Sequence, residues 1–221
     1  TGSLEGKLND YEDIIIDFTK PRDKKAKFNA TSDNAGNIFR ALNAYENGFG
    51  GDFNFDGVLK ENGGFLGKMS AKGVQVLNGP ILAQIISLAS LNGLLDLLSG
   101  KGIVFDEIEA IIDTDPSRTI VEKGMAMGQS LGITMEGTFT KDPDIISKTI
   151  INANGDISPF FSINNAIKML PIIGTLLGGD RGEGAFGIQY KLEGSRKKPT
   201  VLINPLSILA PGKFRDTLIG Q

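Results

Sequence analysis

Leu131-Gly-Ile-Thr-Met-Glu-Gly-Thr-Phe139 is the most regular run in the chain: Leu131, Ile133, Met135, Gly137 and Phe139 alternate with Thr134, Glu136 and Thr138. A period of two puts the apolar set on one side of an extended strand and the polar set on the other. The polar turn Lys141-Asp142-Pro143 follows, then a second run through Ile146, Lys148 and Ile150. Two further pairs read the same way. Phe53, Phe55, Gly57 and Leu59 alternate with Asp52, Asn54 and Asp56, and beyond Glu61-Asn62-Gly63-Gly64 a partner run brings Phe65, Gly67, Met69 and Ala71 to one face. Phe186, Ile188, Tyr190 and Leu192 alternate with Gln189, Lys191 and Glu193, and residues 195–199 turn the chain into Val201-Leu202-Ile203. Runs joined in this manner predict antiparallel hairpins with one apolar face and one wet face.

Helical spacing interrupts the strands twice at length. PILAQIISLASLNGLLDLL, residues 80–98, places Leu82, Ile85, Ile86 and Ala89 at the i, i+3, i+4, i+7 positions of one helix face. Ile81, Leu88, Leu91 and Leu95 widen that stripe beyond an ordinary core-facing arc. FFSINNAIKMLPIIGTLL, residues 160–177, carries Leu170, Ile172 and Ile173, with Pro171 and Gly174 in its second half. Two readings stay open for both segments: helices buried in the protein's own core, or amphipathic elements that touch lipid. Three stretches, beginning at Phe39, Leu91 and Leu170, share a plan of apolar helix, glycine and Phe-bearing strand. In that plan Gly50-Gly51, Gly100 and Gly178-Gly179 stand where a helix end favours a left-handed residue. Thr31, Ser32 and Asp33 are N-cap candidates for the first helix, and a short fourth helix follows Asn204-Pro205.

Composition removes whole classes of chemistry. With no Cys and no His in 221 residues, thiol catalysis, Ser-His-Asp triads, and thiolate or imidazole metal sites are excluded. A net charge of −3 lacks the basic surface that nucleic acid requires. The basic runs at residues 22–27 and 196–198 read as solvated turns. No uninterrupted run reaches the ~20 apolar residues of a spanning helix. Thr1-Gly2-Ser3 opens without Met, which leads us to expect a piece of a longer chain with any targeting or anchoring segment upstream.

Several motifs resemble functional sites and fail on context. Asp52-x-Asn54-x-Asp56-Gly57 opens like a calcium loop, but its twelfth position is Gly63 rather than a bidentate Glu. Gly178-Gly179-x-x-Gly182-x-Gly184 follows a helix and precedes a strand, the reverse of a phosphate loop. Ser195-x-x-Lys198 lies in a hairpin turn instead of a helix. Asp106, Glu107, Glu109 and Glu136 could supply paired carboxylates for glycoside chemistry. Strand alternation, however, puts Asp106 and Glu107 on opposite faces. No cofactor and no metal ligand set is expected.

The stretch PILAQIISLASLNGLLDLLSGKGIVFDEIEA, with the later LPIIGTLLGG, GEGAFGIQYKLEG and PTVLINPLSILAPGKFR, resembles the C-terminal region of AsmA-like proteins. More narrowly, it is similar to the long YhdP-type members of Gram-negative bacteria. The resemblance covers residues 33–218; the first thirty residues fit less clearly. It implies a non-enzymatic, periplasmic, bridge-like lipid transfer protein, anchored to the inner membrane through a segment outside this chain. It also implies a role in phospholipid movement towards the outer membrane, with no catalytic residues to carry over.

The residues and the resemblance together predict one α+β domain over residues 1–221: a strongly curved antiparallel sheet, groove or half-barrel, with three to four apolar or amphipathic helices. The expected partner is phospholipid or another acyl-chain lipid, with contact to a membrane surface and none to nucleic acid. Groove candidates are Phe53, Phe55, Leu131, Ile133, Met135, Phe139, Phe186, Ile188 and Tyr190. Helix candidates for lipid contact are Ile81, Leu82, Ile85, Ile86, Leu88, Leu91, Leu95, Leu170, Ile172 and Ile173. The alternatives are a module that caps a groove without carrying lipid, and a carboxylate-based hydrolase.

Overall fold

A computed structural model describes residues 2–8, 12–19, 25–89, 98–141, 149–159 and 188–204. The elements run β1 (Gly2–Leu8), β2 (Glu12–Thr19), β3 (Lys27–Ser32), α1 (Ala35–Ala41), β4 (Gly48–Phe49), β5 (Asp52–Leu59), β6 (Phe65–Val76) and α2 (Pro80–Leu88). They continue through β7 (Ile103–Thr114), β8 (Arg118–Gly128), β9 (Leu131–Lys141), β10 (Thr149–Pro159), β11 (Ile188–Ser195) and β12 (Thr200–Asn204). All twelve strands form one antiparallel sheet, ordered β1-β2-β3-β5-β6-β7-β8-β9-β10-β11-β12, with short β4 beside β6. Neither end of that order pairs with the other, so the sheet is open.

The hairpins expected at residues 53–71 and at residues 188–203 form with their apolar residues paired. Of the run expected through Ile146, Lys148 and Ile150, Ile146 and Lys148 lie outside the described residues and Ile150 stands near the start of β10. Leu59, Gly57, Phe55 and Phe53 face Phe65, Gly67, Met69 and Ala71, and the loop between them closes on Gly63 at φ 83°. β11 and β12 pair Leu192 with Val201 and Tyr190 with Ile203. On β10 the residues turned to the core are Ile151, Ala153 and Ile157, whereas Ile150 is 40% exposed. β1, β2 and β3, which the sequence reading left without a fold, extend the same sheet.

Both described helices lie on the apolar face. Around α1, Ala35 and Ile38 are buried with Ala30, Phe53, Phe55, Ala71 and Val74. Around α2, Leu82, Ile85 and Ile86 are buried with Val76, Ile103, Phe105, Leu131, Ile157 and Ile188, each such side chain worth about 1.5–3 kcal/mol relative to exposure. Ile108 packs against both clusters, so they share one side of the sheet. α2 also packs on β12. Further helices expected at residues 160–177 and after Asn204, and the portion at residues 90–97, lie outside the described residues.

Three helix-end assignments need correction. The N-cap of α1 is Asn34, whose side chain accepts the Asn37 amide, rather than Thr31, Ser32 or Asp33. Ser32 Oγ instead accepts the Asn34 amide at 3.2 Å. The left-handed residue after α1 is Asn43, at φ 52°. Gly50 and Gly51 are left-handed too, at φ 63° and 84°, but they stand ahead of β5. Their carbonyls receive the Gly36 and Ala35 amides, so they serve the start of α1 and not its end. Among the described residues after α2 and before β7, the left-handed glycine is Gly102 rather than Gly100.

Three strands slip by one residue where the sequence alternation breaks. Phe105 and Ile108 both point to the core although three residues separate them, so the pair between them must both face outward. Asp106 and Glu107 are accordingly both exposed, which corrects their expected placement on opposite faces. Ala71 and Val74 bracket Lys72-Gly73 in the same way, with Gly73 at φ 70°. In β8 a register shift between Val121 and Gly124 turns Glu122 and Lys123 outward. Such bulges bend a strand and raise its local twist.

Candidate functional site

Cross-strand register assembles what no single strand displays. Starting at β1, successive Cα partners are Gly2, Phe18, Phe28, Gly57, Gly67, Ile112, Val121, Gly137, Ala153, Leu192 and Val201. This rung crosses all eleven strands of the main path without one polar side chain. A second rung runs Leu4, Ile16, Ala30, Phe55, Met69, Ala110, Gly124 and Met135. A third runs Phe53, Ala71, Ile108, Ala126, Ile133, Ile157 and Ile188. No charge enters any of the three.

Five of the sequence-derived groove residues, Phe53, Phe55, Ile133, Met135 and Ile188, fall on these rungs, whereas Leu131, Phe139 and Tyr190 lie off them. Phe53 and Phe55 are buried in the α1 cluster. Leu131, Ile188 and Tyr190 are buried in the α2 cluster, and Ile133, Met135 and Phe139 are half-buried against it. Phe186 lies outside the described residues, as do Leu91, Leu95, Leu170, Ile172 and Ile173. On α2, Leu82, Ile85 and Ile86 are turned into the protein's own core and Ile81 packs at its margin. They pack in the core of this structure, and Leu88 is 49% exposed.

Sequence reasoning missed Ile16, Phe18, Phe28, Ile112, Val121, Ala153, Leu192 and Val201 as one surface. The local signal was present in Ile14, Ile16 and Phe18, which alternate with Ile15 and Asp17, and in Phe28 with Ala30. Three consecutive isoleucines hide that period. Half-buried apolar side chains remain along the face on β2, β3, β6, β7 and β9: Ile16, Phe18, Phe28, Met69, Ile112 and Met135.

Polar groups near this face are few and engaged. The Tyr190 hydroxyl donates to the Thr134 carbonyl at 2.6 Å, and Thr134 Oγ1 accepts the Asp156 amide at 3.0 Å. Burial, reinforced by the Asp156 charge, holds the Tyr190 phenol well above its ordinary pKa. Burial pushes Tyr45 up to about 12. Thr134, expected to be wet, is half-buried for this reason.

On the opposite face, Asn29 donates to Asn54 and Asp56, and Asn54 donates to Asp56 at 2.9 Å. Those amides lower the Asp56 pKa and fasten the calcium-like segment into β5. Glu109 is paired with Lys68 at 2.5 Å, and Lys60 with Asp113. Glu136 stands on β9, two strands from Glu109 on β7 and two residues along from Thr134, where the rung of Glu109 reaches β9. An open hollow of about 310 Å³ borders Lys27, Phe28, Asp56, Gly57, Val58 and Leu66; Phe28 and Gly57 belong to the principal apolar rung, and the other four lie on the wet face. Among the described residues no group of acidic side chains is arranged to hold a metal ion. No helix there is long and apolar enough to cross a membrane.

Comparison of the chain with protein-family models, curated proteins and solved structures returns no match. The AsmA-like resemblance therefore rests on its motifs alone.

Proposed function

We propose that this is a non-enzymatic lipid-handling domain whose apolar sheet face carries acyl chains, and that it serves phospholipid transfer between membranes of the cell envelope. The observation that carries this reading is the eleven-strand rung from Gly2 to Val201, free of polar side chains. An acyl chain in water exposes about 0.8 kcal/mol of unfavourable surface per methylene. A surface that is apolar at every step removes that cost without a selective pocket, so a chain can slide between equivalent positions. A periplasmic setting, with an inner-membrane anchor outside this chain, follows from the family resemblance.

A curled sheet is part of the proposal. β6 and β12 are six strand spacings apart, about 29 Å if the sheet were flat. Helix α2 is only about 13 Å long, follows directly on β6, and packs on β12. The bulges on β6, β7 and β8, all turning charged residues outward, support the same curvature.

A second reading is favoured by α2 itself. Its buried face fills part of the apolar side, and Leu131 and Ile157 beneath it are fully buried. On that reading the domain caps a lipid-bearing groove and carries none itself. Native mass spectrometry of the purified chain, followed by lipid extraction and incubation with liposomes, separates the two. Co-purified or acquired phospholipid supports carriage. Its consistent absence from a folded chain leaves the capping role.

A further inference from the structure

We propose that the Gly57–Gly67 pair is a seat for an acyl chain and that the Phe28 ring is its movable cover; this rests on the lipid-handling reading above. Gly57 and Gly67 are Cα partners on β5 and β6, so the principal rung loses two adjacent side chains there and leaves a hollow in the floor. Aromatic rings occupy it. A Cβ added at Gly57 would lie 2.6 Å from the Phe55 ring and 2.7 Å from the Phe28 ring, and one at Gly67 would meet the Asp56 carbonyl and, at 2.5 Å, the Phe55 ring. Phe28 and Phe55 are stacked, with centroids 5.5 Å apart and planes 15° apart, and Phe65 meets both edge-on.

The two stacked rings differ in how they are held. Phe55 is buried among the side chains of the α1 cluster, whereas Phe28 is half-buried at its margin. Over glycine no side chain interlocks with the ring, so Phe28 can leave by rotation about χ1 while the backbone stays in place. A stacked ring and an extended methylene chain are similar in thickness and equally apolar. The vacated hollow therefore suits an acyl chain, flanked along the rung by Phe18 and Ile112. Simple packing of aromatic side chains over strand glycines is the competing explanation; it requires Phe28 for stability alone.

The chain contains no Trp, so Phe28→Trp introduces a single fluorophore at the seat. The probe is a vesicle of phosphatidylcholine brominated in mid-acyl chain, compared with its unbrominated counterpart. Quenching by the brominated vesicles is expected in Phe28→Trp and not in Leu202→Trp, which is exposed on the other face of β12. Phe28→Ala should speed lipid uptake about two- to tenfold, the factor that one stacked ring pair contributes to the closed position. Phe28→Leu replaces it if thermal melts show that the alanine variant does not fold. Uptake of lipid by the unmodified chain without quenching at position 28 overturns the seat and leaves lipid handling standing. Quenching with unchanged or slower uptake in Phe28→Ala overturns the cover. If the unmodified chain takes up no lipid, the functional reading and this inference fall together.

Discussion

Gly50 and Gly51 are neighbours with different reasons to be glycine. Both are left-handed, but a Cβ at Gly50 meets nothing within 4 Å, whereas one at Gly51 would lie 2.6 Å from the Lys72 carbonyl and 2.8 Å from Val74. Gly50→Ala should cost about 1–2 kcal/mol, the dihedral penalty alone. Gly51→Ala adds a backbone collision beside α1 and should cost clearly more; equal denaturation midpoints for the two variants would contradict the packing described. Tyr190 gives a second test. Tyr190→Phe removes the bond to the Thr134 carbonyl and should cost about 1–3 kcal/mol, because a buried acceptor loses its donor. Raised folded-state pKa values on Tyr45 and Tyr190 mean that the fold favours the neutral phenols. Their contribution is fully present below pH 10 and is lost as pH rises through about 12 for Tyr45 and beyond for Tyr190. Denaturation at stepped alkaline pH should show that fall, shallower in Tyr190→Phe; a flat profile from pH 9 to 12 would refute it.

At the scale of the element, strand β9 separates core from open face within three residues. Leu131 is fully buried against the α2 cluster, while Ile133 is half-buried at its margin. Leu131→Asp should unfold the domain, since an unpaired buried charge costs several kcal/mol of a total of about 5–15. Ile133→Asp should fold, with its carboxylate reaching water, and should lose lipid loading. Thr134, bonded to Asp156 and Tyr190, is a poor wet-face control; Thr140, exposed near the end of β9, is the better one, and Thr140→Asp should change neither melt nor loading. The faces of β5, β9 and β6 as far as Ala71 were legible in the sequence because their alternation is unbroken there. Those of β7 and β8 were not, since Asp106-Glu107 and Glu122-Lys123 each shift the period by one. Asn34 was missed as the cap because Thr31, Ser32 and Asp33 before it offer equally suitable side chains.

For the whole molecule, the decisive property is the alignment of strands, which a linear sequence does not spell out. Phe28 and Val201 are 173 positions apart and share a rung only through eight intermediate pairings. A track of this kind is serial. Ile16→Asp on β2 and Ile112→Asp on β7 should therefore each suppress lipid transfer between donor and acceptor liposomes. A discrete pocket would make only one of them matter. If one variant transfers at the unmodified rate while folded, the continuous surface is not the path.

The strand order has one more consequence. Apart from β4, every strand bonds only to its predecessor and successor in the chain. Partners are thus close in sequence, and a sheet of this size acquires the low contact order that speeds folding. Strands can dock one after another as the chain emerges, each completed hairpin templating the next. Opening runs the same way, as in repeat proteins where each unit is held only by its neighbours. Amide exchange should be quickest at β1, the end of the series that neither described helix covers, and slower at β6, beside α1, and at β12, beside α2.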